Sequence, residues 1–165
     1  MVYKTIYKFV WILPIIFTLH NMEEYLFLPL MREVLDNKVG KGFYEPNVFL
    51  IAIVLLTVFV TIIVILYYFY KTRLLERLIM LALAIIFANG IMHTISSIIF
   101  LKYMPGVVTS VLLILPYSIW MISLLKIREG LQLKKGLLFF IISWILMYPI
   151  IVLSLLTAKG ISALL

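Results

Sequence analysis

Cysteine is absent from the 165 residues, which removes disulfides, thiolate metal sites and thiol nucleophiles and leaves the redox compartment unreadable. Charge is scarce as well. Only 13% of residues are charged while 65% are hydrophobic, and mean hydropathy is +1.22, so an ordinary soluble domain is excluded. Internal repeats and low-complexity tracts are missing too. What fills the chain instead is a series of apolar runs of bilayer-crossing length.

A hydrocarbon layer about 30 Å thick requires roughly 20 apolar residues per helix. Charged, Pro and Gly punctuation marks off five such runs: 10–30, 48–70, 78–101, 107–125 and 136–157. The expected fold is therefore an all-α, polytopic membrane bundle of five transmembrane helices forming one domain over residues 1–165. The longest connection, "MREVLDNKVGKGFYEP", carries two glycines and mixed charge, as a solvated loop would. "KYMPG" reads as a tight turn between spans three and four, set by Pro105 and Gly106. Lys4 and Lys8 precede the first run as in a secretory signal, yet no small-residue cleavage site follows, so the run is read as a retained helix.

The net charge of +7 does not point to nucleic acid, because the basic residues sit at span ends and in loops rather than in one patch. Membrane topology accounts for them. With five spans, nine Lys and Arg residues (Lys4, Lys8, Lys71, Arg73, Arg77, Lys126, Arg128, Lys134, Lys135) fall on one side and five (Arg32, Lys38, Lys41, Lys102, Lys159) on the other. That asymmetry predicts a cell-membrane protein with a cytoplasmic amino terminus and the carboxyl terminus outside.

Against this background "LHNMEEY", residues 19–25, is out of place. His20, Glu23 and Glu24 stand at i, i+3 and i+4 and so share one helix face. "NGIMHTISS" offers a matching stripe, with Asn89, His93, Ser96 and Ser97 on one face of the third span at similar depth. A carboxylate at that depth costs about 2.5–3.5 kcal/mol on insertion scales and must face the bundle interior with a partner. No Lys or Arg is within reach: Lys8 and Arg32 are each twelve residues from His20, roughly 18 Å along a helix. Protonation, a charged imidazole or a bound cation remains.

Three functional readings follow. Imidazole and carboxylate donors suit Zn²⁺, Fe²⁺ or Mn²⁺, and His20, His93 and one of Glu23 or Glu24 would supply three ligands. The other glutamate would then act as general base, with Asn89 holding an oxyanion or a ligand. That reading predicts a metal-dependent enzyme, a hydrolase or oxidase, acting on a membrane-embedded or lipid-like substrate. A second reading is a small proton- or ion-coupled transporter, although the ionisable residues cluster at one level instead of extending to both surfaces. The third is a neutral hydrogen-bonded network that fixes helix packing.

Elsewhere the signals are structural. Pro14, Pro116 and Pro149 lie inside spans and are expected to shape their helices. Ser110 and Ser154 are expected to bond back to their own helices, and Trp11, Trp120 and Trp144 to serve packing or lipid contact.

The blocks "HNMEE" (20–24), "NGIMH" (89–93) and "KYMPGVVTSVLLILPY" (102–117), in that order, make the chain resemble the membrane family named for its HXXEE motif. That family is one of unknown function, so the resemblance implies the membrane architecture and draws attention to His20, Glu23, Glu24, Asn89 and His93 without implying a reaction. It also implies that the "PG" turn and the segment after it form one working unit that aims span four at the pocket.

Overall fold

A computed structural model describes residues 2–32, 44–129 and 133–164. Among these the regular structure is entirely helical: α1 (Val2–Phe9), α2 (Ile12–Leu26), α3 (Pro46–Tyr70), α4 (Arg73–Phe100), α5 (Val107–Thr109), a π-helical turn (Ser110–Ile114), α6 (Leu115–Glu129) and α7 (Leu133–Ser162). Most of the loop expected between the first two spans, residues 33–43, lies outside the described residues.

Proline and capping chemistry set the boundaries. Pro14 has no N–H to give the carbonyl of Val10, and its ring crowds that position. The first expected span accordingly breaks at Val10–Trp11, where Leu13 N–H takes the Val10 carbonyl in a tighter turn at 3.1 Å. The Phe9 carbonyl, orphaned by the break, accepts from the Tyr117 hydroxyl at 3.0 Å. A second break falls at Phe27, after which residues 28–32 resume a helix. Pro116 is handled differently. A π turn precedes it, with Leu115 N–H reaching back five residues to the Ser110 carbonyl, so the missing donor falls where the ladder is already shifted. Pro149 leaves α7 uninterrupted. Between α3 and α4 the reversal takes two residues: Lys71 adopts a left-handed conformation and the Thr72 hydroxyl caps Leu75 N–H. That cap starts α4 at Arg73, five residues before the expected span.

Four stretches among the described residues are long and apolar enough to cross a membrane: Pro46–Tyr70, Arg73–Phe100, Val107–Leu125 and Leu137–Ser162. The amino-terminal segment differs from the single expected span, because its longest helix has 15 residues, about 22 Å.

Two apolar clusters hold the bundle. One joins Ile6, Val10, Leu13 and Phe17 to Val64, Tyr67, Leu83 and Met121. The other joins Leu28 and Met31 to Val48, Phe49, Ala52 and Leu155. Between them α2 presents His20, Asn21, Glu23 and Glu24, all buried. α2 packs on α3 and on the start of the α5–α6 rod, whereas α7 packs on α3 and α4. Closure over the polar residues of α2 comes from the 103–109 segment.

Candidate metal centre

The i, i+4 spacing of α2 places His20 Nε2 3.5 Å from Glu24 Oε1, and from α4 His93 Nε2 approaches the same oxygen at 2.7 Å. The two imidazole rings meet edge to face with centroids 5.0 Å apart. First and third expected spans thus converge through their side chains. His20 is fully buried, whereas the side chains of His93 and Glu24 each retain 12% exposure. Access to the group is therefore from the Glu24–His93 side.

Asn89, one turn before His93, brings its Nδ2 to 3.0 Å from His20 Nε2, and on the other side of that ring Nδ1 lies 2.9 Å from Thr109 Oγ1. The Pro105 carbonyl accepts a hydrogen bond from His93. Because Nε2 of that ring faces Glu24, Nδ1 makes this bond. Gly106 sits against both imidazoles: its φ is +90°, and a Cβ built there would lie 2.7 Å from His20 Cε1 and 3.1 Å from His93 Cε1. Only glycine fits, both in conformation and in space.

Glu23 goes elsewhere. It accepts from the Tyr103 hydroxyl at 2.6 Å, from Val108 N–H at 3.1 Å and from Thr109 N–H at 2.7 Å, and the Thr109 hydroxyl is also a hydrogen-bond partner. Three donors fill most of the roughly four lone-pair sites of the carboxylate, and the N-terminus of the α5–α6 rod favours negative charge. Main-chain N–H groups and a phenol thus satisfy an acid for which a proton, an imidazolium or a cation was expected.

Of the residues singled out in the sequence, His20, Glu24 and His93 come together, Asn89 contacts His20, and Glu23 becomes a helix cap. Ser97 donates to the Lys102 carbonyl at 2.7 Å and so belongs to the turn, not to the cluster. Ser154 bonds back to Ile151 as expected. Ser110 does not bond back, and its buried hydroxyl has no partner. The Gly106 carbonyl, its natural acceptor, already takes Ser110 N–H and the Thr109 hydroxyl. Trp11, Trp120 and Trp144 each pack edge-on or tilted against Tyr or Phe rings.

Thr109, Tyr103, Gly106, Asn21 and Thr57 complete the layer without having been singled out as site residues. Asn21 donates to Thr57 Oγ1 at 2.8 Å in the middle of α3. Asn21 lies inside the "HNMEE" block, and Thr57 is one of two threonines, with Thr61, inside the apolar run of α3, which is the signal each offered.

Residues 11–121, about two thirds of the chain, match a family described as a protein of unknown function with an HXXEE motif. The chain belongs to the HXXEE family. Its motif residues are His20, Glu23 and Glu24, and the geometry divides the two acids of the HXXEE motif between the histidine cluster and the helix cap. Comparison with curated proteins and with solved structures finds no match.

The donor set fits a metal ion. His20, Glu24 and His93 each offer one ligand atom, all within 4.8 Å of one another. First-row divalent ions hold such donors at about 2.0–2.2 Å, which puts neighbouring donors roughly 3.0–3.5 Å apart. The measured 2.7 and 3.5 Å separations bracket that spacing.

Proposed function

We propose that this HXXEE protein is a single transmembrane domain that binds one divalent ion through His20, Glu24 and His93 and acts as a metal-dependent enzyme on a membrane-embedded or lipid-like substrate. The observation that carries the reading is the convergence of two imidazoles and one carboxylate from separate helices inside an apolar bundle. Two histidines and a carboxylate leave coordination positions open. A bound Zn²⁺, Fe²⁺ or Mn²⁺ would supply Lewis-acid or redox chemistry there. Thr109 would orient His20 through Nδ1, Asn89 would yield its place at Nε2 to the ion, and the exposed edges of Glu24 and His93 would face the substrate.

The amino-terminal segment completes a fifth crossing in this proposal. Tyr7 stacks on Tyr68 with centroids 4.5 Å apart, while Leu28 and Met31 pack with Val48 and Phe49. The kinked α1–α2 segment therefore runs beside α3 for nearly its whole length, covering in two pieces the thickness that α3 covers in one. With nine basic residues against five, the amino terminus is cytoplasmic and the carboxyl terminus outside, in the cell membrane. A cysteine-free chain makes the test clean. Single cysteines replacing Lys71 and Leu101 should react with an impermeant maleimide from opposite faces, and one replacing Lys4 should react from the Lys71 face. Labelling of positions 4 and 71 from different faces would remove the fifth crossing.

Elemental analysis of detergent-purified protein tests the ion. One equivalent per chain is expected, lost in His20→Ala and His93→Ala, together with chelator-sensitive turnover of lipid-like substrates. Ion-coupled transport in proteoliposomes without retained metal would replace the enzyme by a carrier. One observation favours a structural network instead: Glu24 and His93 stand at direct hydrogen-bond distance, 2.7 Å. Under that reading both alanine variants lower the melting temperature, and no preparation contains metal.

A further inference from the structure

Both histidines of the cluster turn the same way. Each directs Nε2 toward Glu24 and Nδ1 toward one short stretch of chain, Thr109 for His20 and Pro105 for His93. In a neutral imidazole one nitrogen donates and the other accepts, so the partner of Nδ1 decides what Nε2 can do.

For His93 the partner is a carbonyl, which only accepts; Nδ1 must carry the proton. For His20 the partner is a hydroxyl, which can donate or accept, and its other neighbours settle the matter. The Thr109 hydroxyl lies 3.3 Å from the Gly106 carbonyl and is also within bonding reach of the Glu23 carboxylate. Both are pure acceptors. The hydroxyl's single hydrogen goes to one of them, and its lone pair is left for His20 Nδ1–H. The Asn89 amide, donating to His20 Nε2 at 3.0 Å, agrees with the same assignment.

We infer that the segment Pro105–Thr109, pinned by Glu23, holds His20 and His93 with Nδ1 protonated and so turns both Nε2 atoms to the position beside Glu24, where an ion would take the place of the proton between His93 and Glu24 and of the Asn89 N–H. The two acids of the motif then serve one centre: Glu24 faces the ion, and Glu23 fixes the stretch that orients the imidazoles. Glu23 grips that stretch through the main-chain N–H groups of Val108 and Thr109, and Gly106 lets it lie flat against both rings. Thr109 is a positioning residue in this arrangement. The part played at the ion rests on the metal reading above; the tautomers do not.

Two measurements on the full chain in detergent test the inference. The first is ¹⁵N NMR of histidine-labelled, chelator-treated protein. Wild type should show an Nδ1–H signal for both rings and an unprotonated Nε2 for His20, and Thr109→Val should shift His20 alone to a mixture of tautomers, with Thr109→Ser restoring the wild-type pattern. The second is titration with Co²⁺. Thr109→Val should bind about 10–100-fold more weakly, the usual loss when a ligand's orienting partner is removed, while Thr109→Ser stays close to wild type. An Nε2–H signal for His20 in wild type, or unchanged Co²⁺ affinity in Thr109→Val, overturns the inference. Wild-type protein that binds no Co²⁺ overturns the metal reading and the role at the ion with it; the tautomer signals still decide the orientation.

Discussion

Gly106→Ala is the most informative single perturbation, because two independent penalties fall on one methyl group. The backbone at φ +90° is a region that costs an L-residue roughly 1–2 kcal/mol. The new Cβ would sit 2.7 Å from His20 Cε1 and 3.1 Å from His93, and insertion into a packed site typically costs about 1–3 kcal/mol more. The sum is a loss of roughly 2–5 kcal/mol. Neither ring can retreat cheaply, since His20 is fully buried and both imidazoles are hydrogen-bonded on two sides. Gly160→Ala is the matched control: nothing lies within 4 Å of a Cβ there, and the change inside α7 should stabilise by about 0.5–1 kcal/mol. Denaturant titration of the two variants beside wild type in one detergent gives the comparison. If Gly106→Ala unfolds within about 0.5 kcal/mol of wild type, a scatter expected of innocuous substitutions, the turn is not seated on the imidazoles and the account of the centre fails.

Three further perturbations probe the surrounding layer. Glu23→Gln replaces a carboxylate that accepts from three donors by one oxygen and an amide that faces N–H groups. With hydrogen bonds to charged groups worth about 1.5–3 kcal/mol each, the variant should lose about 3 kcal/mol or more in the same titration, and wild-type stability would refute the cap. Tyr103→Phe should cost about 1 kcal/mol. Burial and the bond to Glu23 raise the Tyr103 phenol above its ordinary 10.0; the stabilisation is therefore complete below that pH and is lost only as pH rises through the raised value. Phenolate absorbance should accordingly show a late-titrating phase that shrinks by one tyrosine in Tyr103→Phe. The Asn21–Thr57 bond should show a coupling near 0.6 kcal/mol in a double-mutant cycle of Asn21→Ala and Thr57→Ala, typical of polar pairs inside membranes, with zero coupling refuting the contact.

Much of the architecture was legible because membrane helices are governed by length and hydropathy. The fourth expected span, 107–125, lies within one helical rod, Val107–Glu129. The first did not hold as one helix, because a proline inside an apolar run lowers mean hydropathy little yet breaks the ladder four residues earlier. At the centre, helical spacing identified the shared face of His20 and Glu24 and its counterpart at Asn89 and His93. It could not separate Glu23 from Glu24. Two neighbours on a helix point about 100° apart, and what each meets depends on a segment more than 80 residues later, whose backbone N–H groups carry no signature in side-chain identity. Thr109 was hidden for the same reason. A threonine near a helix start usually reads as a local cap, and its use by a distant histidine follows from tertiary packing alone.

The distance along the chain between α2 and its partners has a consequence for biosynthesis. Val108, Thr109 and its hydroxyl stand 85, 86 and 89 residues beyond the Glu23 and His20 atoms they satisfy. At a ribosome adding about 5–20 residues per second, that interval lasts roughly 4–18 s. Throughout it, Glu23 lacks the main-chain donors that receive it in the finished fold. The contacts of α2 are completed only after the glycine turn and the rod behind it have been made, so that the first helices made are among the last to be seated.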